Sequence, residues 1–538
     1  MENRRARHVV SRRHGARSFA CCRASGCAVR MRMFAASHGT IGGGLDGCSV
    51  AMRKRASATH STSVHRYTRP SLWPERQVTP SQGSRMQLSV PDQRPRETRP
   101  CARRVRGPSV VSVVACVVAA AAPATAQSPG ERSVTAIVNA SVVPMDAERI
   151  LARHTVIVEG ERIAWVGPAA AARVPASARV IDAAGRFVVP GLTDAHVHLS
   201  PSEFPLLLRH GVTTIVQMHG TPEHLTWRAQ LRDGTMDGPT MLTTGPVVAG
   251  QRPGFPFFVL ATTGDEGRRV VGEQRSAGYD FVKVYDGLSP ETYDAVVAAA
   301  DNVGQLVVGH APMAVGLGRV THSGQRLIVH TDQVFYALHR QRDGVMTLPP
   351  EAVDRALAAW RGSNAAFTPT LAGLEIDYRR GSAWVDSLIA RPDTEHLARI
   401  WGSAWMQTAR VYATRPDSAR RETRLHFLSL LAGFTRRADS AGILLVAGTD
   451  TPNGLLVPGL SLHDELAAYV RAGLSPYRAL RTATVNPGIV FGTSDPFGRI
   501  VTGARADLLI VRGNPLETLA ALRHPDVVMA RGRVMERR

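Results

Sequence analysis

Six side chains in this sequence could do chemistry together, and each stands in or just after an apolar run. In GLTDAHVHLS, residues 191–200, His196 and His198 lie two apart. On a β-strand, residues i and i+2 face the same side, so the two imidazoles would sit together. Such a pair suits a metal ion, yet strands also carry it as an ordinary polar pair. Four more segments set one polar group among or after apolar residues: Lys283 in DFVKVYD, His310 in QLVVGHA, His330 in RLIVH and Asp450 in LLVAGTD. One histidine so placed is more often a satisfied core residue. Agreement among five separate segments points instead to a shared metal centre.

The elements that must position these groups read as alternating strands and helices. Val189–Val197, Thr213–Met218, Thr240–Thr244, Asp280–Tyr285, Gln305–His310, Arg326–His330, Ala365–Thr370 and Gly442–Gly448 are strand-like. Between them lie helix-like stretches such as Pro290–Asn302, Pro349–Arg361 and Leu460–Arg471. Eight β/α units over about 300 residues predict an α/β fold, a (β/α)8 TIM-like barrel spanning 191–490. In such barrels functional residues collect at the carboxyl ends of the strands, where these six fall. A doubly wound open sheet would normally show a glycine-rich phosphate turn after its first strand, and this sequence has none. The long helical connection at 371–441 is expected to cover the barrel mouth. Short alternating runs at 133–190 and 498–535 predict a small antiparallel β-sandwich domain built from both ends of the chain, residues 127–190 and 491–538.

The net charge of +21 suggests a nucleic-acid binder until its location is considered. Residues 1–126 hold 22 Lys+Arg and five Asp+Glu, which leaves 43 basic and 39 acidic residues in the remainder. A nearly balanced body gives no phosphate-backbone footprint. All six cysteines also precede residue 127, so the body has neither disulfides nor Cys-ligated zinc. Within residues 101–126, Arg103, Arg104 and Arg106 precede an apolar stretch, Val110–Ala122, too short to span a bilayer. Ala124-Thr125-Ala126 follows with the small residues of a cleavage site, so 101–126 reads as a signal peptide. Export to the periplasm or outside the cell is therefore expected, with no stable membrane span after cleavage. Residues 1–100, rich in Arg, Ser and Gly, read as a disordered or non-native basic extension. Translation is expected to begin near Met86, which N-terminal sequencing of the natural protein checks.

The set HVH in GLTDAHVHL, Lys in FVKVY, His in VVGHA, His in IVH and Asp in AGTDT resembles the metal-dependent amidohydrolase superfamily. The segment TATVNPGIVFG…GRIVTGARADLLIV is similar to its prolidase-like and imidazolonepropionase-like members. The resemblance implies two divalent metal ions, zinc first, with manganese or cobalt as replacements. His196, His198 and Asp450 would hold one ion and His310 and His330 the other, with Lys283 bridging. An ammonium has no lone pair, so Lys283 would have to be carboxylated by CO2 to a carbamate; the plainer alternative pairs it with a carboxylate. In this binuclear centre a metal-bound hydroxide would attack a carbonyl, with Asp450 as the catalytic proton carrier. Hydrolysis of C–N bonds follows, in the manner of a prolidase-like dipeptidase or N-acyl-amino-acid hydrolase.

Two departures from the family pattern bear on substrate. Relatives commonly carry Glu-His where this chain has Val329-His330, and TTVRD where it has TTIVQMHG. His219 of that stretch is a candidate substrate contact, against an ordinary loop histidine. Tyr285 is another, against simple packing. His210, His322, His339 and His463 read as surface or capping residues. Competing functions are a mononuclear deaminase or cyclic-amide hydrolase, a lactonase or phosphotriesterase on the same centre, and a non-catalytic scaffold-like relative. A bridging lysine argues against the mononuclear class, and the complete ligand set argues against the scaffold. The expected partner is a small molecule or short peptide, with no nucleic acid; a homo-oligomer is compatible with the sequence.

Overall fold

The computed structural model describes residues 133–535, apart from 343–344, 415–419 and 493. The leader expected at 1–126, with its signal peptide, lies outside them. Two parallel sheets carry the centre of the chain. One holds Leu192–Val197, Val212–Gln217 and Thr240–Thr243 in that order. The other runs Phe258–Leu260, Val247–Ala249, Phe281–Val284, Leu306–Gly309, Leu327–Val329, Ala366–Thr368. Single parallel bridges join them, Thr244 to Phe281 on one side, and on the other Phe367 to Leu445 and Val197 to Thr451. This is the mixed α/β order of a TIM-like barrel, carried by two sheets and three bridges and not by one unbroken sheet.

Seven of the eight expected strands are present. The eighth, Gly442–Gly448, forms no ladder and contributes only the bridge at Leu445 and nearby backbone hydrogen bonds, Val446 N to Phe367 O and Ala195 N to Ala447 O, both 2.9 Å. A Cβ on Gly448 would come within 2.8 Å of His196 Cβ and of Thr368 Cγ2, so the chain passes here too close to its neighbours for a side chain. Two strands not expected, Val247–Ala249 and Phe258–Leu260, pair in parallel across a loop. Local chemistry sets the helices between strands. Pro290–Asn302 begins where Ser289 Oγ accepts from Thr292 N at 3.1 Å with proline in first position.

The two chain ends do meet. Leu508–Val511 pairs antiparallel with Phe187–Pro190 inside one eight-stranded sheet whose apolar residues form a separate core. That sheet is mixed, not purely antiparallel: Val134–Val142 runs parallel to Arg179–Asp182 and Phe187–Pro190. The stretch after Pro168 carries the chain back across the sheet, so it re-enters in its starting direction. Arg505, 3% exposed, fastens this sheet to the parallel core. It donates to Asp507 Oδ2 at 2.6 Å, Asp495 Oδ2 at 2.8 Å and Thr214 Oγ1 at 2.6 Å.

The connection at 371–441 is helical as expected, with described helices Leu371–Tyr378, Ala383–Ile389, Thr394–Trp401, Ser403–Ala413 and Arg421–Ser440. Ile376, Val385, Leu397 and Trp405 pack with Leu455, Leu456 and Val457, just beyond Asp450, into a core of their own. Among the described residues no helix is long and apolar enough to cross a membrane.

His210 and His463, expected as surface or capping residues, are both buried, with His210 at the C-cap of Phe204–Arg209. His463 Nε2 donates to His210 O at 2.9 Å, and burial, with the neighbouring His210, pulls its pKa down to about 3. In the unfolded chain the same group titrates near 6.5. Between these values the unfolded state binds the extra proton. The stability this burial permits is therefore whole above pH 6.5 and is lost as pH falls below it, by at most about 1.4 kcal/mol per pH unit. Denaturant midpoints at pH 7 and pH 5 should separate more for the wild type than for His463→Gln, which keeps a donor but cannot titrate; equal separations would remove His463 from the acid response.

Candidate metal centre

Leu192–Val197 delivers His196 and, one residue past its end, His198. Both turn toward Asp450: His196 Nε2 lies 3.2 Å and His198 Nε2 3.0 Å from the same oxygen, Oδ1. The donor atoms of these three residues all fall within 4.8 Å of one another. Lys283, 2% exposed on Phe281–Val284, brings Nζ to 3.5 Å from His196 Nε2. The His330 ring centroid is 4.8 Å from that of His196, and the His310 centroid 4.9 Å from that of His330. All six side chains singled out in the sequence thus gather at one place.

The two candidate substrate contacts, His219 and Tyr285, are there as well. His219 Nδ1 is 2.6 Å from His198 Nδ1, with the rings stacked at 4.9 Å. Tyr285 packs on His310, centroids 4.1 Å apart. The unusual TTIVQMHG also has a structural use, since Gln217 exchanges hydrogen bonds with the backbone N and O of Leu199 at 3.0 and 3.1 Å and so holds the turn after His198.

Four partners were not anticipated. Asp286 accepts from His310 Nδ1 at 3.2 Å and from Arg342 at 2.7 Å. Thr370 Oγ1 meets His330 Nδ1 at 2.9 Å. Asp194 accepts from Thr449 N at 3.0 Å, Thr449 Oγ1 at 2.7 Å and His196 N at 3.2 Å. These contacts fix ring orientation, and with Nδ1 engaged, Nε2 is the nitrogen that His310 and His330 would offer an ion. Two of the four were signalled in the sequence: Asp194 stands two residues before His196, and Asp286 immediately follows Tyr285. Nothing in the sequence marks Thr370 or Thr449. His330, Thr370 and Asp450 all have positive φ, +70°, +54° and +68°. Each such non-glycine residue costs about 1–3 kcal/mol, so the surrounding structure holds the site against its local preference.

Burial governs the protonation states. It pulls His196 down to about 3, lowers His310, and holds His219 and His330 well below the usual histidine range. All four are neutral near pH 7, the form that can ligate. Burial also pulls Lys283 down to about 8, against the opposing pull of Asp450 and Asp286. Burial pushes Asp450 up, but the neighbouring His196 and the hydrogen bonds from His196 and His198 outweigh it and hold the carboxyl well below the usual range. Asp194, with its burial incompletely offset by its donors, is pushed up to about 7. Neutral imidazoles, an ionised carboxylate and a buried amine form a donor set that fits divalent ions with N and O ligands.

Comparison with known proteins agrees with this chemistry. A family model described as amidohydrolase family matches residues 432–535. The adenine deaminase of Paracoccus denitrificans (strain Pd 1222) is 25% identical over 396 residues, covering 70% of this chain and 55% of that protein. Among solved structures, a candidate prolidase from Bifidobacterium longum superposes with a TM-score of 0.59 at 26% identity, covering 75% of this chain and 95% of its own. A bottromycin amidohydrolase does so with a TM-score of 0.58, also at 26% identity, over 75% and 87%. The chain spans about half the length of the curated relatives it first matches.

Proposed function

We propose that this chain, which belongs to the amidohydrolase superfamily, hydrolyses carbon–nitrogen bonds at a carbonyl. The observation that carries the reading is the convergence of His196 Nε2 and His198 Nε2 on one oxygen of Asp450. In this reading the centre is binuclear. His196, His198 and Asp450 would hold one ion, and His310 and His330 a second. Lys283 as its carbamate would bridge them, because a buried ammonium among neutral imidazoles has no lone pair to give. Zinc suits the donor set. When bound, the ions supply an acidified water and a polarised carbonyl.

The chain's own residues do the rest. Asp450, held ionised, accepts the water proton and delivers it to the departing nitrogen. Asp286 and Thr370 keep His310 and His330 in one orientation. His219 and Tyr285, on the flanks, are the groups we assign to the substrate. Dipeptides and N-acyl amino acids are the substrate classes proposed, in line with the prolidase-like neighbour. The leader segment supports export to the periplasm or beyond, and the mixed sheet of the chain ends is read as a small β-sandwich domain beside the barrel.

A second reading, a mononuclear deaminase, draws support from the adenine deaminase relatives. Purified protein supplied with zinc and bicarbonate, assayed against dipeptides, N-acyl amino acids, lactones and adenine, decides between them. Release of amino acids by protein holding two ions per chain is expected. Release of ammonia from adenine by protein holding one ion would overturn the first reading in favour of the second.

A further inference from the structure

The loop between the unexpected strands Val247–Ala249 and Phe258–Leu260 reads GQRPGFPFF, residues 250–258. Two of its three half-buried phenylalanines, Phe255 and Phe257, go to opposite flanks of the centre. Phe257 stacks on His219 at 4.5 Å and 27°, and His219 is bonded to His198. Phe255 stands edge-on to Tyr285 at 5.4 Å and 86°, and Tyr285 lies on His310. One loop therefore reaches both halves of the ligand set through an aromatic ring on each side.

The root of the loop is fixed. Gly250 N donates to Asp286 O at 3.2 Å, and Asp286 is the residue whose carboxylate holds His310. A Cβ at Gly250 would fall 2.0 Å from Gly287 O, so the loop leaves its strand in contact with the turn that follows Lys283 and Tyr285. Pro253 and Pro256 restrict the backbone between. Val247 N donates to Phe257 O at 3.1 Å, which closes the loop's far end. A loop backbone held at both ends pre-organises the positions from which the two rings reach the centre, and such pre-organisation lowers the cost of binding.

We propose that Phe255 and Phe257, with Tyr285, form an aromatic wall beside the metal centre that selects substrates carrying a flat apolar group next to the scissile bond. This rests on the metal-centre reading above and deepens it to a substrate class: aromatic or ring-bearing acyl and aminoacyl amides over small aliphatic ones. Ring faces prefer offset or edge contact with another ring, and one such contact is worth about a tenfold change in affinity.

The test uses binding, so it does not depend on finding a substrate. Benzohydroxamate and acetohydroxamate are titrated calorimetrically into zinc-loaded wild-type protein, Phe255→Ala, Phe257→Ala and the conservative Phe257→Leu. The ratio of the two affinities is independent of the fraction of protein that is folded. Wild type should prefer the benzoyl compound, and each alanine variant should lower that preference by about tenfold, with the leucine variant between. Equal affinities in wild type, or a preference unmoved by both alanine variants, would remove the wall and leave the metal centre standing. Failure of both hydroxamates to bind would overturn the metal centre, and the wall with it.

Discussion

Asp450→Asn is expected to lower turnover by about 10²–10⁴-fold while most of the bound metal stays. The geometry separates the two effects. An asparagine keeps an oxygen where Oδ1 now meets His196 and His198 at 3.2 and 3.0 Å, so the donor set loses little. It cannot, however, take up and return a proton. The wild-type carboxyl lies well below the usual range, so it is ionised at neutral pH and, once loaded with a proton, gives it up readily. Turnover on the best substrate of the panel and metal content by elemental analysis are read together. Unchanged turnover would take Asp450 out of proton transfer, and loss of all metal would make it a structural ligand above all else.

The second large effect is expected at Lys283. Its replacement by alanine should reduce bound metal from about two ions to one and cost turnover at least about a hundredfold. Lys283 is 2% exposed with Nζ 3.5 Å from His196 Nε2, so it stands among the candidate ligands and away from solvent. Burial pulls its pKa to about 8, which leaves part of the population neutral near pH 7 and able to react with CO2. Native mass spectrometry of the wild type should show a gain of one CO2 that Lys283→Ala lacks. Two ions in the alanine variant would show that the amine bridges nothing.

The ligand set was legible because each of its members follows the same local rule, one polar group in or just after a short apolar run. That rule depends only on neighbours in sequence, and so the six residues could be read without knowing any contact. Helices marked by local chemistry were legible for the same reason, as at Ser289-Pro290. What escaped depends on residues far apart in sequence. His463 lies on a helix and His210 caps one, with no local sign of burial; packing against each other, the Arg523 backbone and the His524 ring conceals them. Gly442–Gly448 looks like a strand by composition, yet close passage at Gly448 limits it to isolated bridges. The strands Val247–Ala249 and Phe258–Leu260 are three residues each, and the prolines and glycines between them read as a plain loop. Thr370 acts through a hydrogen bond to a histidine 40 residues earlier, which no spacing rule reports.

The Asp194–Thr449 contact, which spans 255 residues, also sets an order of events. His196 and His198 are made early, but the carboxylate they converge on comes 252 residues after His198. Until that stretch has been made and folded back, the first pair of imidazoles lacks the Asp450 carboxylate and the Thr449 contact through Asp194. On the reading proposed above, metal capture would therefore be a late step in the life of the chain, and the ion taken up would be one available where folding finishes.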